Sequence, residues 1–497
     1  MRSRRRRRVT GHRRHAPPFR LRWWNNQGGT VTDALATADA PADLVLTGGR
    51  IHLFDDAATA ASSIAIRDGL VVAHDDDART LAPRARRVID LDGRTVLPGI
   101  NDAHLHAAWL GARWPALFFG DHEASHDEDS GPLVTTNRER RAALQRAWRL
   151  LASLGITSYT EPGIGPGEDG GPTGCFGTSM LDTYLDLHRE GVQTSRVTLL
   201  RLFGTIDGEG DLEAFRTGIQ APAPATDDRW LCIPGVKIFA DGIPPMRTAW
   251  VREPYADGSS GALLTRGPDG ALDAFRQMVR LAHDADLQVA VHATGDRSIA
   301  EFLSVLEEAD AGPRRHPHYV VHADLAFDDL IERMRAIGVG AAVQPLIAAF
   351  THAWASGTLG AERAARAWPL ARMIDRGILT TVTSDAPIAT PDWRASVDAA
   401  VRLLSEAGIA DSTASRRALV RRMTVDAARQ DGASEWKGTL SAGFVGDLCV
   451  LSADPLDPGT RVAGIDVDAT VVGGRIVFER GTTPDVDAEA VAAEATA

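Results

Sequence analysis

Apolar and polar positions follow two rhythms along this chain, and the rhythm changes near residue 100. From residue 43 to 99, short apolar runs succeed one another: Leu44-Val-Leu, Ser63-Ile-Ala-Ile, Leu70-Val-Val, Arg87-Val-Ile-Asp-Leu and Thr95-Val-Leu. Gly48-Gly49, Asp68-Gly69 and Asp92-Gly93 punctuate them as tight turns, which predicts a small antiparallel β unit. The texture returns at the far end in Gly446-Asp-Leu-Cys-Val-Leu, Val467-Asp-Ala-Thr-Val-Val and Gly473-Gly-Arg-Ile-Val-Phe. Neither segment is long enough to bury a two-layer core alone. Residues 41–99 and 438–485 are therefore expected to pair into one composite β-sandwich domain.

Between them the apolar period lengthens. Residues 137–154, 272–285, 298–308 and 396–405 carry apolar positions at three- and four-residue spacing, which predicts amphipathic helices. Short apolar runs alternate with helical stretches: Ile156-Thr-Ser-Tyr, Arg196-Val-Thr-Leu-Leu, Gly235-Val-Lys-Ile-Phe, Gln288-Val-Ala-Val-His, Tyr319-Val-Val-His, 338–343 and 378–384. With the run ahead of His104 they make eight, and residues 100–437 are predicted to form a (β/α)8 TIM-like barrel. A doubly wound open α/β sheet is the alternative.

The polar residues at the ends of these runs form the candidate site. Strand one delivers His104 and His106, strand four Lys237, strand five His292, strand six His322 and strand eight Asp385. A barrel brings all these C-terminal ends to one rim, where its chemistry sits. If strand one continues through its histidines, its two-residue period puts both imidazoles on one face. Two imidazoles aimed at one point are half of a transition-metal site.

Composition sharpens one position. Only Lys237 and Lys437 are lysine among 54 basic residues. Lys437, in Glu-Trp-Lys-Gly, reads as a surface turn, whereas Lys237 lies in an apolar strand where a long cation is costly to bury. An amine can lose its proton, attack or be modified; a guanidinium cannot readily do so.

Charge and cysteines narrow the function classes. Residues 1–22 hold ten arginines and no acidic residue, so the net charge of −12 for the whole chain becomes −22 for the rest. Such a body excludes nucleic acid as the main partner. Residues 1–40 are expected to be a disordered, dispensable Arg-rich tail, since no apolar export segment follows the arginines. No run of about 18 apolar residues offers a membrane span. Cys175, Cys232 and Cys449 form no Cys-x-x-Cys pair, which fits a reducing cytoplasm and no disulfide framework.

Taken together these marks are familiar. Leu97-Pro-Gly-Ile-Asn-Asp-Ala-His-Leu-His, Val236-Lys-Ile-Phe-Ala-Asp-Gly, Glu253-Pro-Tyr-Ala-Asp, Val291-His-Ala-Thr-Gly-Asp-Arg, Val321-His-Ala-Asp-Leu, Gln344-Pro, Ser384-Asp-Ala-Pro-Ile and Gly438-Thr-Leu-Ser-Ala-Gly-Phe-Val-Gly-Asp-Leu run through the chain. As a set, from about residue 43 to 481, they resemble the amidohydrolase superfamily, and within it amidohydrolase family 3, the N-substituted formamide deformylase-like branch. The resemblance implies that His104, His106 and Asp385 hold one divalent metal, with zinc the expected ion. His292 and His322 would hold a second metal or the open face of a single one. Lys237 would bridge as a carbamate formed with CO2. Metal-activated hydroxide would then attack a C–N bond (amide, N-formyl or cyclic amide), with Asp385 as general base and acid and His292 or the second metal polarising the carbonyl.

The rim loops suggest what enters. Residues 111–136 and 241–270 are the long connections, and aromatic residues crowd them: Trp109, Trp114, Phe118, Phe119, Trp250, Tyr255 and, further on, Trp354. An apolar or aromatic small-molecule substrate follows, with Trp109, Trp250, Tyr255 and Arg297 as candidate contacts. Asp296 reads as a helix N-cap, and His122 and His126, among carboxylates, as a solvated loop. A deaminase of the superfamily would carry glutamate three residues past His292, where this chain has Gly295. A lactonase or phosphotriesterase could use the same ligands. A metal-binding barrel without turnover would need a missing ligand, and none is missing. A cytoplasmic enzyme, with a homodimer left open, is the expectation.

Overall fold

Two sheets carry the structure, a computed structural model that describes residues 40–119, 131–309 and 312–482. The chain starts with β1 (Leu44–His52), β2 (Ala60–Arg67), β3 (Leu70–His74), β4 (Arg87–Asp90) and β5 (Thr95–Pro98). It then runs through β6 (Ile100–Asp102), β7 (Ile156–Ile164), β8 (Arg196–Leu202), β9 (Gly210–Asp211), β10 (Leu231–Phe239) and β11 (Thr265–Arg266). Then come β12 (Gln288–Ala293), β13 (Tyr319–His322), β14 (Gly340–Val343) and β15 (Thr380–Val382), and β16 (Leu448–Leu451), β17 (Val467–Val472) and β18 (Arg475–Glu479) close the series.

The first sheet has the order β18-β17-β16-β5-β1-β2-β3, with β4 pairing β1. The two ends of the chain meet where β5 and β16 run antiparallel, Val96 opposite Val450 and Leu97 opposite Cys449. Hydrogen bonding is continuous through the sheet, which wraps a core of Leu44, Leu46, Ile51, Ile64, Ile66, Val96, Leu448, Val450 and Val471. The expected pairing of distant segments thus appears as one shared sheet. It docks on the barrel through a buried bidentate ion pair, Arg196 to Asp447 at 2.6 and 3.0 Å.

The second sheet is the barrel, ordered β6-β7-β8-β10-β12-β13-β14-β15. Every neighbouring pair is parallel. The last gap is spanned just beyond the strands, where Ser384 N donates to Asp102 Oδ1 (3.1 Å) and Asp385 N to His104 O (2.9 Å). Four of the connecting helices, Asn137–Ser153, Ala271–Asp284, Asp296–Glu308 and Trp393–Glu406, match the apolar periodicity to within a few residues. The first starts where it does because Thr136 and Glu139 cap each other's backbone reciprocally. Among the described residues no helix is long and apolar enough to cross a membrane.

Lys437 corrects a sequence expectation. It is only 6% exposed, and its Nζ donates to Asp431 Oδ2 at 2.6 Å. Asp431 also accepts from Asn101 of β6 (2.7 Å) and Thr160 of β7 (3.1 Å). A Glu-Trp-Lys-Gly string looks like a turn because nothing local shows that a barrel strand will supply the counter-charge. The two lysines of this chain are both buried, and among the described residues only Lys437 forms an ion pair with a carboxylate.

The Arg-rich tail expected over residues 1–40, apart from Ala40, lies outside the described residues, as do His122 and His126.

Candidate metal centre

β6 stops at Asp102, so His104 and His106 do not lie on a strand, as a continued two-residue period had suggested. What aligns them is a turn laced to the end of β15. Asp102 Oδ1 accepts from His104 N (3.4 Å) as well as Ser384 N. Alongside, Asp385 N donates to His104 O and His106 N to Ala386 O (2.8 Å). The backbones of 104–106 and 384–386 are zipped together, and that zipper delivers Asp385 to both imidazoles. Burial pushes the Asp102 carboxyl up to about 7 against these donors.

The distances suit one ion. Asp385 Oδ1 lies 3.2 Å from His104 Nε2 and 3.6 Å from His106 Nε2. Two ligand atoms on a tetrahedral zinc, with bonds near 2.0–2.1 Å, stand about 3.3 Å apart. All three side chains are buried, and the buried Nδ1 of His104 has no hydrogen-bond partner. The donor set is therefore of the right type and spacing to hold a divalent metal.

The other histidines are oriented by what holds their second nitrogen. His106 Nδ1 faces Glu161 Oε1 at 3.2 Å, which leaves Nε2 toward Asp385. Gln344 gives its amide N–H groups to Thr383 Oγ1 (2.8 Å) and Ala342 O (3.2 Å), so its Oε1 accepts from His322 Nδ1 (2.9 Å). His292 Nε2 donates to the Gly242 carbonyl at 3.3 Å, so its lone pair sits on Nδ1. The His322 ring packs 4.5 Å from that of His292 and 5.7 Å from that of His104. Burial holds His104 and His292 well below the ordinary histidine range and pushes His322 down to about 3. Neutral imidazoles with lone pairs are what a metal requires.

Lys237 stands one layer deeper, since in the β10–β12 register it faces Ala290 while Phe239 faces His292. It is 2% exposed, and its Nζ lies 4.8 Å from the Phe239 ring centre. Burial pushes its amine down to about 8, opposed by Asp385 and Asp207. About a tenth of such an amine is neutral at pH 7. His322 and Asp385 both adopt left-handed backbone, with φ of 71° and 59°, a conformation costly for residues other than glycine and concentrated at functional sites.

The proposed substrate contacts divide. The Trp109 ring lies 6.0 Å from that of His106 and packs on Phe118 and Phe176, at the rim of the centre. Exposed Arg297 stacks 4.2 Å above the Trp250 ring. Tyr255 must be withdrawn: it is 3% exposed and its hydroxyl donates to Ala249 O at 3.0 Å, so it anchors its own loop. Asp296 is not the N-cap, which is Gly295; its Oδ1 accepts from Arg252 N at 2.9 Å.

Three carboxylates went unread in the sequence. Glu161 is wholly buried and accepts from Ala107 N (2.8 Å) and Tyr184 OH (2.9 Å) besides facing His106. Its signal was a glutamate two residues beyond Ile156-Thr-Ser-Tyr, where a strand should have continued. Asp241 accepts from Trp250 N, Thr294 N, Gly295 N and Ser298 Oγ, pinning the turn after His292. Asp207, on the loop after β8, reaches to 3.9 Å from His292 Nδ1. Glu161→Gln is expected to loosen His106 and weaken metal affinity by roughly 10–100-fold, read by competition with a chelating dye.

The family model described as "Amidohydrolase family" matches residues 120–478. This chain belongs to that family. The match begins after the His104–His106 pair. YtcJ of Bacillus subtilis (strain 168), provisionally named an amidohydrolase, is 30% identical over 253 residues, 49% of this chain and 47% of its own. The chain thus matches about half the length of that relative. LONG AFTER FAR-RED 3 of Arabidopsis thaliana is 24% identical over 90% of this chain and 94% of its own. Among solved structures, an uncharacterized metal-dependent hydrolase from Pyrococcus furiosus superposes with a TM-score of 0.66 at 23% identity, over 83% of this chain and 100% of its own. An adenosine deaminase from Xanthomonas campestris with bound zinc gives 0.63 at 16% identity, over 92% and 97%. These structural likenesses concern the fold.

Proposed function

We propose that this member of the amidohydrolase family hydrolyses a C–N bond outside peptides, in an N-formyl, amide or cyclic amide group of a small organic substrate. Within the family we place it in the N-substituted formamide deformylase-like branch. The observation that carries this is the convergence of His104, His106, Asp385, His292, His322 and Lys237 at the C-terminal end of one barrel. His104, His106 and Asp385 would hold one divalent ion, zinc by the nature of its ligands, and His292 and His322 a second or the open face of the first. When bound, the metal supplies Lewis acidity that lowers the pKa of water and polarises a carbonyl.

The chain's own groups do the rest. Asp385 takes the proton of the attacking water and returns it to the leaving nitrogen. The lone pair of His292, fixed on Nδ1 by Gly242 O, would be offered to an ion; this nitrogen accepts rather than donates, so it would not itself polarise the carbonyl. Trp109, Trp250 and Arg297 form the wall against which the substrate body lies. Lys237 carries a carbamate: CO2 adds to the neutral amine, an Nζ–C bond forms and a proton leaves. The cation becomes a group with one negative charge and two oxygens, able to bridge.

Deamination is disfavoured by a local detail. Past His292 stands Gly295, and the next carboxylate, Asp296, is committed to the Arg252 backbone. Residues 41–99 with 438–485 serve as a support domain and residues 100–437 as the hydrolase domain of a cytoplasmic enzyme. The test is an activity screen of metal-replete protein over N-formyl amines, N-acyl amino acids, cyclic amides and lactones. Turnover of a C–N substrate supports the reading; turnover of lactones alone replaces it with an ester hydrolase. Protein free of transition metal after expression in zinc- and manganese-supplemented medium overturns both.

A further inference from the structure

At the end of the barrel opposite the metal residues, a cavity of about 370 Å³ opens in the seam between the barrel and the first sheet. That volume falls within the range of small-molecule pockets, roughly 300–1,000 Å³. The barrel supplies Gln193, Arg196, Arg229 and Trp230 from segments leading into β8 and β10. The sheet supplies two hairpin tips, Asp68-Gly69 and Gly473 to Arg475. These tips touch: a Cβ on Gly69 would stand 3.2 Å from Gly473 O, and both glycines have positive φ.

The charges around the cavity are unevenly satisfied. Arg196 is fully used, with Nε and Nη2 on Asp447 and Nη1 on Arg229 O at 2.7 Å. Among the described residues Arg475 donates to the Gln193 carbonyl alone (3.1 Å), and it lies 5.1 Å from the Trp230 ring centre. Arg229 stands 5.7 Å over Trp436. Among the described residues, neither of these two guanidinium groups pairs with a carboxylate. Asp227 also lines the cavity, but its Oδ1 accepts from Arg229 N (3.0 Å) and closes a turn; Asp68 lines the far tip. Desolvation first, and Arg196 second, lower the pKa of Arg475. Two guanidinium groups, those of Arg196 and Arg475, thus share one buried carboxylate, Asp447.

A planar guanidinium fork with free donors matches a carboxylate in-plane, and Trp230, whose ring carries Arg196 at 4.5 Å and Arg475 at 5.1 Å, adds apolar surface beside it. A net charge of −12 on the chain argues against a polyanion. We propose that this cavity is a second ligand site, remote from the metal centre, for a small aromatic carboxylate gripped by Arg475 and Arg229 beside Trp230. The site stands on its own geometry and does not depend on which bond the enzyme cleaves.

The experiment is isothermal titration calorimetry on full-length protein stripped of metal, with benzoate as probe and acetate and inorganic phosphate as comparisons. Benzoate is expected to bind, and Arg475→Gln and Arg229→Gln each to weaken it by roughly tenfold, about the worth of one charge-assisted contact. His104→Ala should leave the affinity unchanged. Arg229, exposed on a turn, provides a variant whose fold is not at stake should Arg475→Gln unfold. No benzoate binding, binding indifferent to both arginine variants, or binding lost in His104→Ala would overturn the site. Phosphate binding as tightly as benzoate would overturn the aromatic carboxylate as its ligand.

Discussion

Lys237→Arg is expected to abolish most turnover and to lose at least one equivalent of metal, although it conserves charge and approximate length. The side chain is buried in an all-apolar stretch of β10, its Nζ 4.8 Å from the Phe239 ring centre, and among the described residues it forms no ion pair with a carboxylate. An ammonium there would repel divalent ions; its amine, pushed down to about 8, is neutral often enough to take up CO2. A guanidinium stays charged and cannot form the carbamate. Losing a metal-bridging group removes several kcal/mol of charge stabilisation, about a thousandfold in rate. Lys237→Ala should regain part of the activity when formate or acetate is added, because a short carboxylate fits the vacated bridge. Metal content by elemental analysis, with kcat/KM alongside, decides it. Wild-type turnover and metal content in Lys237→Arg would remove the bridge and make the centre mononuclear.

Asp385→Asn should lower kcat/KM by roughly 10²–10⁴-fold, the usual worth of a positioned general acid–base group, and by more if metal is also lost. The substitution is clean in two respects. Asparagine keeps the shape of the side chain, and it tolerates left-handed backbone better than most residues, so the φ of 59° adds little strain. What disappears is the negative oxygen that lies 3.2 Å from His104 Nε2 and 3.6 Å from His106 Nε2. Activity within about tenfold of wild type would show that another group carries the proton. Asp207, which reaches His292 from the loop after β8, would then be the next to replace.

How much of this was legible beforehand differs from residue to residue. Periodicity was enough for the barrel and the shared sheet, and the polar residues ending each apolar run named the six residues proposed to hold metal. Such features are local, because a strand or helix must show its buried face in every turn of its own sequence. Lys237 could be singled out as well, since a lone lysine in an apolar strand is unusual wherever the strand goes. Lys437 could not be read correctly, because its partner Asp431 and the barrel strands around them come together only in three dimensions. For the same reason Glu161 and Gln344 were invisible as supports: each acts by holding the far nitrogen of a histidine from a distant part of the chain. Tyr255 read as a substrate contact because a loop aromatic looks the same whether it faces a ligand or packs its own loop. The sequence determined which groups arrive at the rim; the tertiary structure decided which nitrogen of each histidine faces the centre, because that choice rests on hydrogen bonds between strands far apart in the chain.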